Sequence, residues 1–383
     1  MEINVNTVFK IIFQYFKKLD KVLFIAVCGV SFFSVVLMYS IVKNEITSKT
    51  DSMYKVQFIA LCLGAGMALL ISALDYRKFT KLWFLYVPLG IGLVLLTFTP
   101  LGIQVEGTDD KAWIDLGITT FQPSEVLKIV FIMSFAVHLN KVGDKINNIV
   151  NVLLLCLHGA VPILLVAAQG DDGTAIVFIA IFISMMFAAG LSWKYIVPCI
   201  VAAPIGIFIL WKYVLLNHQK MRFLVVINED LDPLGYGYQQ RLGKIALGSG
   251  EMFGKGLFAD SYAFVPEVQT DFIFTYVGQC FGFFGCILLI AALAFICMRI
   301  ISDSRVAKDG TGKYICVGFA AIIFIHCILN IGMVIVVTPV IGIPLPFVSQ
   351  GGTAMLSMFI GIGIVMSTYS HSEKKYRVFY DAD

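Results

Sequence analysis

Four stretches of this 383-residue chain set polar side chains against apolar surroundings in ways that could do chemistry. The first is Phe264-Val265-Pro266-Glu267-Val268-Gln269-Thr270-Asp271-Phe272-Ile273-Phe274, in which Asp271 is the last polar position before a long apolar run. A helix starting near Asp271 puts its carboxylate at the hydrocarbon boundary, the depth at which a lipid-tailed substrate presents its headgroup. A plain N-cap at Thr270 or Asp271 fits the same spacing. The second is Gln122-Pro123-Ser124-Glu125 followed by Lys128. It reads as a helix start with an acid in the first turn. Glu125 and Lys128 then share one face at i and i+3, either as a structural ion pair at the membrane edge or as a polar wall of an outward-open site. The third is a run of glycines with Ser249 and Lys255 between Gly248 and Gly256. It fails the phosphate-loop test, because the six-residue glycine spacing is absent and Lys255 precedes Gly256 instead of Ser or Thr. A flexible loop is the default for it, although glycine-rich backbone can also cradle a phosphate. The fourth, Thr338 to Gly352, holds three prolines and no charge, so it cannot be a regular helix. Near a membrane such backbone must be buried in protein or line a cavity.

The elements that position these residues follow from composition. Hydrophobic residues make up 59% and charged residues 14% of the chain, against roughly 45–50% and about 25% in soluble domains. Mean hydropathy is +0.88. A net charge of +3 is too small to indicate a nucleic-acid binder. The cysteines fall in or beside apolar runs, where they read as small packing residues and not as a disulfide or metal framework. The first apolar run is too long for a signal-peptide core and lacks a small-residue cleavage site. No 20–50-residue repeat is visible.

The chain therefore reads as an all-α polytopic membrane protein with about ten transmembrane helices, near 22–42, 56–74, 82–100, 124–140, 151–168, 174–190, 195–215, 272–298, 314–337 and 351–369. With the N-terminus inside, the inner segments carry 17 lysines and arginines and the short outer loops four: Lys43, Lys49, Lys55 and Lys111. That bias places both termini in the cytoplasm. The expected organisation is a cytoplasmic segment 1–21, a ten-helix membrane domain 22–370 with an extracellular loop about 216–271 between helices 7 and 8, and a cytoplasmic tail 371–383. The acids Glu106, Asp109, Asp110, Asp115, Asp171 and Asp172, and those from Glu229 to Asp271, then all face outward, where no ATP is available. Trp113 suits an interfacial anchor.

At these residues the chain resembles the SEDS family of bacterial wall-growth proteins (shape, elongation, division and sporulation). The matching pieces are Trp113-Ile114-Asp115-Leu116-Gly117 with Gln122-Pro123-Ser124-Glu125 and Lys128; Asp171 with Gly173-Thr174-Ala175; Gly237-Tyr238-Gln239 with Gly248-Ser249-Gly250 and Gly254-Lys255-Gly256; Pro266-Glu267 with Thr270 to Phe274; and Asn330 to Met333 leading into Pro344-Leu345-Pro346-Phe347, Ser349 and Gly351-Gly352. Asn330-Ile331-Gly332-Met333 and Gly363-Ile364-Val365-Met366-Ser367 look more like the RodA elongation branch than the FtsW division branch.

The resemblance implies a ten-helix peptidoglycan glycosyltransferase of the bacterial plasma membrane. Such an enzyme polymerises lipid II into a growing glycan strand on the outer face, alongside a class B penicillin-binding transpeptidase. It carries the essential acid onto Asp271 and the outer-loop tryptophan onto Trp113. Asp271 would act as general base on the acceptor hydroxyl, worth about 10²–10⁴ in rate. The leaving diphosphate needs charge stabilisation, from a divalent cation (Mg²⁺ or Mn²⁺) or from Lys128, Arg241 or Lys255. Gln122, Glu125, Asp171, Gln239, Ser249, Glu267, Thr270 and Ser349 complete the expected substrate-binding set. The chain departs from the family pattern at Asp172, where an apolar residue is usual. It departs again at Gln279-Cys280, where paired acids are usual, and at Ala112, Gln350 and Glu251. Two other roles fit the same resemblance: a catalytically weak paralogue acting as scaffold for its transpeptidase, and a flippase for lipid-linked precursors.

Overall fold

A computed structural model gives a mostly helical protein and describes residues 15, 17–46, 52–104, 110–115, 117 and 120–372. Most of the expected terminal segments 1–21 and 371–383 lies outside the described residues, as do Lys49, Glu106, Asp109 and Leu116. Every expected span is a helix: α1 (Lys21–Lys43), α2 (Met53–Ala73), α4 (Trp83–Leu96), α5 (Pro123–Val142), α6 (Ile149–Ala168), α7 (Asp172–Ala188), α8 (Trp193–Ile209), α11 (Ile273–Val306), α12 (Gly310–Val334) and α13 (Gly352–Ser370), with a short α3 (Tyr76–Thr80) before α4. Eight of these segments are long and apolar enough to cross a membrane. The other two, α4 with 14 residues and α7 with 17, are shorter. At 1.5 Å per residue they reach about 21 and 26 Å, short of a hydrocarbon core of about 30 Å. The third span ends before position 100, at Leu96, with Thr97 as the C-cap and its hydroxyl donating to Val94 O at 2.8 Å. The chain then enters a small antiparallel sheet, β1 (Gly102–Ile103), β2 (Trp113–Asp115) and β3 (Thr120–Phe121), with β2 in the middle.

Packing separates a core from a periphery. Helix α13 lies on α2, and α12 is flanked by α11, α7 and α5. Two-thirds of the apolar stretch of α12 and of α13 is buried, whereas α8 buries none of its residues.

The long segment between α8 and α11 is not the open loop that its glycines suggest. It contains α9 (Asn217–Ile227) and α10 (Tyr236–Gly248), and its glycine run serves a packing purpose. Helix α11 breaks at Gly282, whose φ of 64° is left-handed. A break frees backbone groups that apolar surroundings cannot satisfy. The glycine run supplies their partners. Lys255 N and Gly256 N donate to Gln279 O and Cys280 O at 2.8 and 2.9 Å, while Phe283 N and Phe284 N donate to Glu251 O and Met252 O at 2.9 and 3.2 Å. The approach is so close that a Cβ on Gly282 would stand 2.5 Å from Gly254 N.

Gly282→Ala should therefore lower the melting temperature of the purified protein, by the left-handed penalty of about 1–2 kcal/mol plus the clash. Gly29→Ala, in α1 with nothing within 4 Å of its Cβ position, should leave it unchanged or raise it slightly.

Candidate active site at the outer ends of α5, α11 and α12

The Asp271 turn is built from backbone bonds. Residues 266–272 form a succession of turns before α11. Phe272, not Thr270 or Asp271, is the N-cap residue, and no side chain caps the helix. The capping alternative therefore does not describe Asp271. Three consecutive carbonyls of the turn each receive a donor from elsewhere in the chain. Gln350 N donates to Gln269 O at 2.8 Å. Ser349 Oγ donates to Thr270 O at 2.6 Å. Asn330 Nδ2 donates to Asp271 O at 2.8 Å and also to Ile343 O at 2.8 Å. Two donors come from the proline-rich segment and one from α12, so Asp271 is fixed by the segment that lies beside it.

That segment is held in turn. Ser349 Oγ accepts from Leu345 N at 2.8 Å. The buried amide of Gln57 on α2 donates to Ser349 O at 3.0 Å. Gly342, with φ of 66°, lies against the carboxylate: its Cβ position is 3.7 Å from Asp271 Oδ2. Asp271 and Thr270 are half-buried and Glu267 is exposed, all at one end of α11. Glu267 Oε2 accepts from Gln269 Nε2 at 3.0 Å and from Thr270 Oγ1 at 3.2 Å.

Below this layer, inside the bundle, lies the Glu125–Lys128 pair. Both residues are buried, with Lys128 Nζ 2.8 Å from Glu125 Oε1. The other carboxylate oxygen accepts from Ser357 Oγ of α13 at 2.9 Å. Lys128 Nζ also lies 3.3 Å from His326 Nε2, and His326 Nδ1 lies 3.1 Å from Pro344 O. An ammonium group can only donate, so Nε2 accepts and Nδ1–H donates to the carbonyl. The imidazole is thus neutral and connects the ion pair to the proline-rich segment.

A third group joins helix starts. Gln122 Nε2 donates to Asp171 Oδ2 at 2.8 Å, and Asp171 Oδ1 caps α7 by accepting from Thr174 N at 2.9 Å. Burial raises the Asp171 carboxyl to about 6. The unusual Asp172 accepts from Gln219 of α9. The unusual Gln279 makes a two-way bond with Ala263, accepting from its N at 2.7 Å and donating to its O at 3.2 Å. A carboxylate there would lack the donor for Ala263 O.

The structure therefore brings Glu267, Thr270, Asp271 and Ser349 together at one turn, with Glu125 and Lys128 linked to them through His326. Gln122 and Asp171 adjoin the same region through Gly173, whose Cβ position is 2.7 Å from Ile341 O. Trp113 is half-buried in the middle strand of the small sheet. Ser249 donates to Ala246 O at 2.8 Å. Lys255 is exposed on the glycine run, with its backbone N–H engaged by α11. Gln239 is half-buried on α10, but the neighbouring Gln240 makes the link to the core, donating to Thr338 O at 3.0 Å. Arg241 lines an open groove of about 490 Å³ with Glu229, Asp230 and Lys244. Among the described residues, no three His, Cys, Asp or Glu side chains converge as a metal-binding group. Sequence reasoning missed His326, Ser357 and Gln57. His326 stands four residues before Asn330, on the same face of α12, which was the available signal.

Removing one member of the buried pair strands the other. Glu125→Ala or Lys128→Met alone should destabilise the purified protein by about 3–5 kcal/mol. The double variant should recover much of that loss in a thermal-melt comparison, since no unpaired charge remains.

Residues 20–374 match the family described as cell cycle protein, FtsW/RodA/SpoVE. The chain is 35% identical to the peptidoglycan glycosyltransferase MrdB of Escherichia coli K12 over 76% of this chain and 78% of that one. It is 31% identical to a probable peptidoglycan glycosyltransferase FtsW of Trichlorobacter lovleyi, over 91% of this chain and 92% of that one. Among solved structures, the rod shape determining protein RodA of Thermus thermophilus superposes with a TM-score of 0.68 at 23% identity, covering 92% of this chain and 96% of that chain. A chain from work described as "Structural coordination of polymerization and crosslinking by a peptidoglycan synthase complex" superposes with a TM-score of 0.79 at 23% identity, covering 92% and 97%. With a match running through all ten spans, the chain belongs to the FtsW/RodA/SpoVE family.

Proposed function

We propose that this chain is a peptidoglycan glycosyltransferase of the bacterial plasma membrane, polymerising lipid II on the outer face during elongation or shape maintenance, with Asp271 as general base. The observation that carries the reading is the fixing of Asp271 by three successive carbonyl bonds at the end of an apolar helix. A base needs a defined position relative to the hydroxyl it deprotonates. On this reading the carboxylate sits where a polyprenyl diphosphate headgroup would meet the membrane surface, at the start of the apolar helix α11.

In the reaction, Asp271 takes the proton of the acceptor sugar hydroxyl as its oxygen attacks the anomeric carbon of the donor. The carbon–oxygen bond to the diphosphate breaks, and inversion at that carbon gives a β-linkage. The diphosphate leaves as an anion and needs no proton. Exposed Arg241 and Lys255 are the basic groups on the outer segment that could meet it, whereas the Lys128 ammonium is engaged inside the bundle. A divalent cation (Mg²⁺ or Mn²⁺) would neutralise leaving-group charge in the same way, although among the described residues no three His, Cys, Asp or Glu side chains converge to hold one. The polyprenyl tail lies in the bilayer. A class B penicillin-binding transpeptidase is the proposed partner; a fold relative described in a polymerisation and crosslinking complex supports that pairing.

Asp271→Asn should lower polymerisation of lipid II by purified protein about 10²-fold or more while leaving its melting temperature near that of the parent. A well-folded Asp271→Asn protein that polymerises normally would remove the assignment. Movement of headgroups across liposomes without glycan synthesis would instead indicate a flippase. Capture of the transpeptidase by a chain that makes no glycan would indicate a scaffold.

Gly342→Ala offers a second measurement. It forces a left-handed φ on an L-residue, about 1–2 kcal/mol, and places a methyl against Asp271. The rate of glycan synthesis at saturating lipid II should fall by more than the small change in melting temperature implies.

A further inference from the structure

A groove of about 480 Å³ opens on the membrane-facing side of α4, α5 and α6, apart from the Asp271 turn. Its lining along α5 is ordered by polarity: Lys141 in the last turn, His138 one turn deeper, Ser134 one turn further, then Val130 and Leu127. Successive members are three or four residues apart, so they share one face of the helix. His158 of α6 completes a polar band. His138 Nδ1 and His158 Nδ1 are 3.0 Å apart, and His158 Nε2 is 3.1 Å from Ser134 Oγ. The remaining lining is apolar and includes Val161, which is exposed on the membrane side.

This order is that of an amphiphile: a cation at the surface, hydrogen-bonding groups one to two turns below, and hydrocarbon beyond. From Lys141 to Leu127 the helix descends about 21 Å, enough to run from the interface past the middle of a hydrocarbon core about 30 Å thick. Charge complementarity selects the occupant. The groove lining contains Lys141 and no carboxylate. Lys81 and Lys145 stand exposed on the connections at the same end, with Asp144 the exposed acid between α5 and α6. The bias of lysine and arginine assigns that end to the cytoplasmic leaflet.

We propose that this groove binds one anionic phospholipid of the cytoplasmic leaflet. Its phosphate meets Lys141, its ester region lies at the His138–His158–Ser134 band, and one acyl chain runs along Val130 and Leu127.

The test is native mass spectrometry of the purified full chain with phosphatidylglycerol or phosphatidylcholine. Wild-type protein should retain one phosphatidylglycerol about fivefold more than phosphatidylcholine, the gain expected for a single basic contact at a membrane surface. Lys141→Glu should abolish that preference, and Val161→Trp should lower retention of both lipids by filling the groove. Lys313→Glu, an exposed lysine at the same end of the bundle but outside the groove, should leave retention unchanged. Equal retention of the two lipids by wild type would overturn the proposal. So would unchanged retention in both groove variants, or an equal loss in Lys313→Glu. If Val161→Trp weakened association with a partner's membrane helix and left lipid retention intact, a protein segment would be the occupant and the lipid proposal would fail.

Discussion

Backbone that leaves the helix near the apolar layer must find hydrogen-bond partners within the protein, and the arrangement around Asp271 follows from that requirement. The turn before α11 and the proline-rich segment after α12 are both irregular, and each satisfies the other. Gln269, Thr270 and Asp271 offer carbonyls; Gln350, Ser349 and Asn330 supply donors. Prolines at 339, 344 and 346 cannot donate from their backbone nitrogens, which leaves side chains such as Ser349 and Asn330 to do much of the joining. The bonds that satisfy the irregular backbone thus also fix the main chain that carries the Asp271 carboxylate.

The buried ion pair extends the same logic inward. Glu125 has both oxygens occupied, by Lys128 and Ser357. Lys128 uses a second hydrogen on His326, which fixes the imidazole tautomer and directs Nδ1–H at Pro344 O. Charge on α5 is thereby coupled through α12 to the segment beside Asp271. A buried pair contributes little to stability for its own sake, because desolvation offsets attraction. Its value here is orientation: three helices and one irregular segment agree on a single register.

Much of this was legible in sequence, for reasons that differ by residue. The ten apolar helices follow from the apolar runs of the sequence, although α4 and α7 are shorter than a full span, and Asp271 stands out as the last polar side chain before one of them. The pairing of Glu125 with Lys128 follows from their spacing and from the cost of a lone lysine in a span. Ser349 is expected among the substrate-binding residues, and in the structure its hydroxyl donates to Thr270 O and accepts from Leu345 N. A sequence shows that a serine is present but not which carbonyl lacks a donor. Gln57, His326 and Ser357 were overlooked because each is a lone polar residue inside an apolar run, and its partners lie on helices far away in sequence. The glycine run near 250 illustrates the opposite error. Its composition suggested freedom, but its small residues are what allow the chain to press against the break in α11.

That break has a mechanical consequence. A continuous 34-residue rod would tilt as one piece when the bilayer thickened or thinned around it. A rod broken at Gly282 is instead gripped by residues 251–256 on both sides of the break, at Gln279 and Cys280 before it and at Phe283 and Phe284 after it. The Asp271 end of the helix is therefore braced against the glycine run as well as against the proline-rich segment.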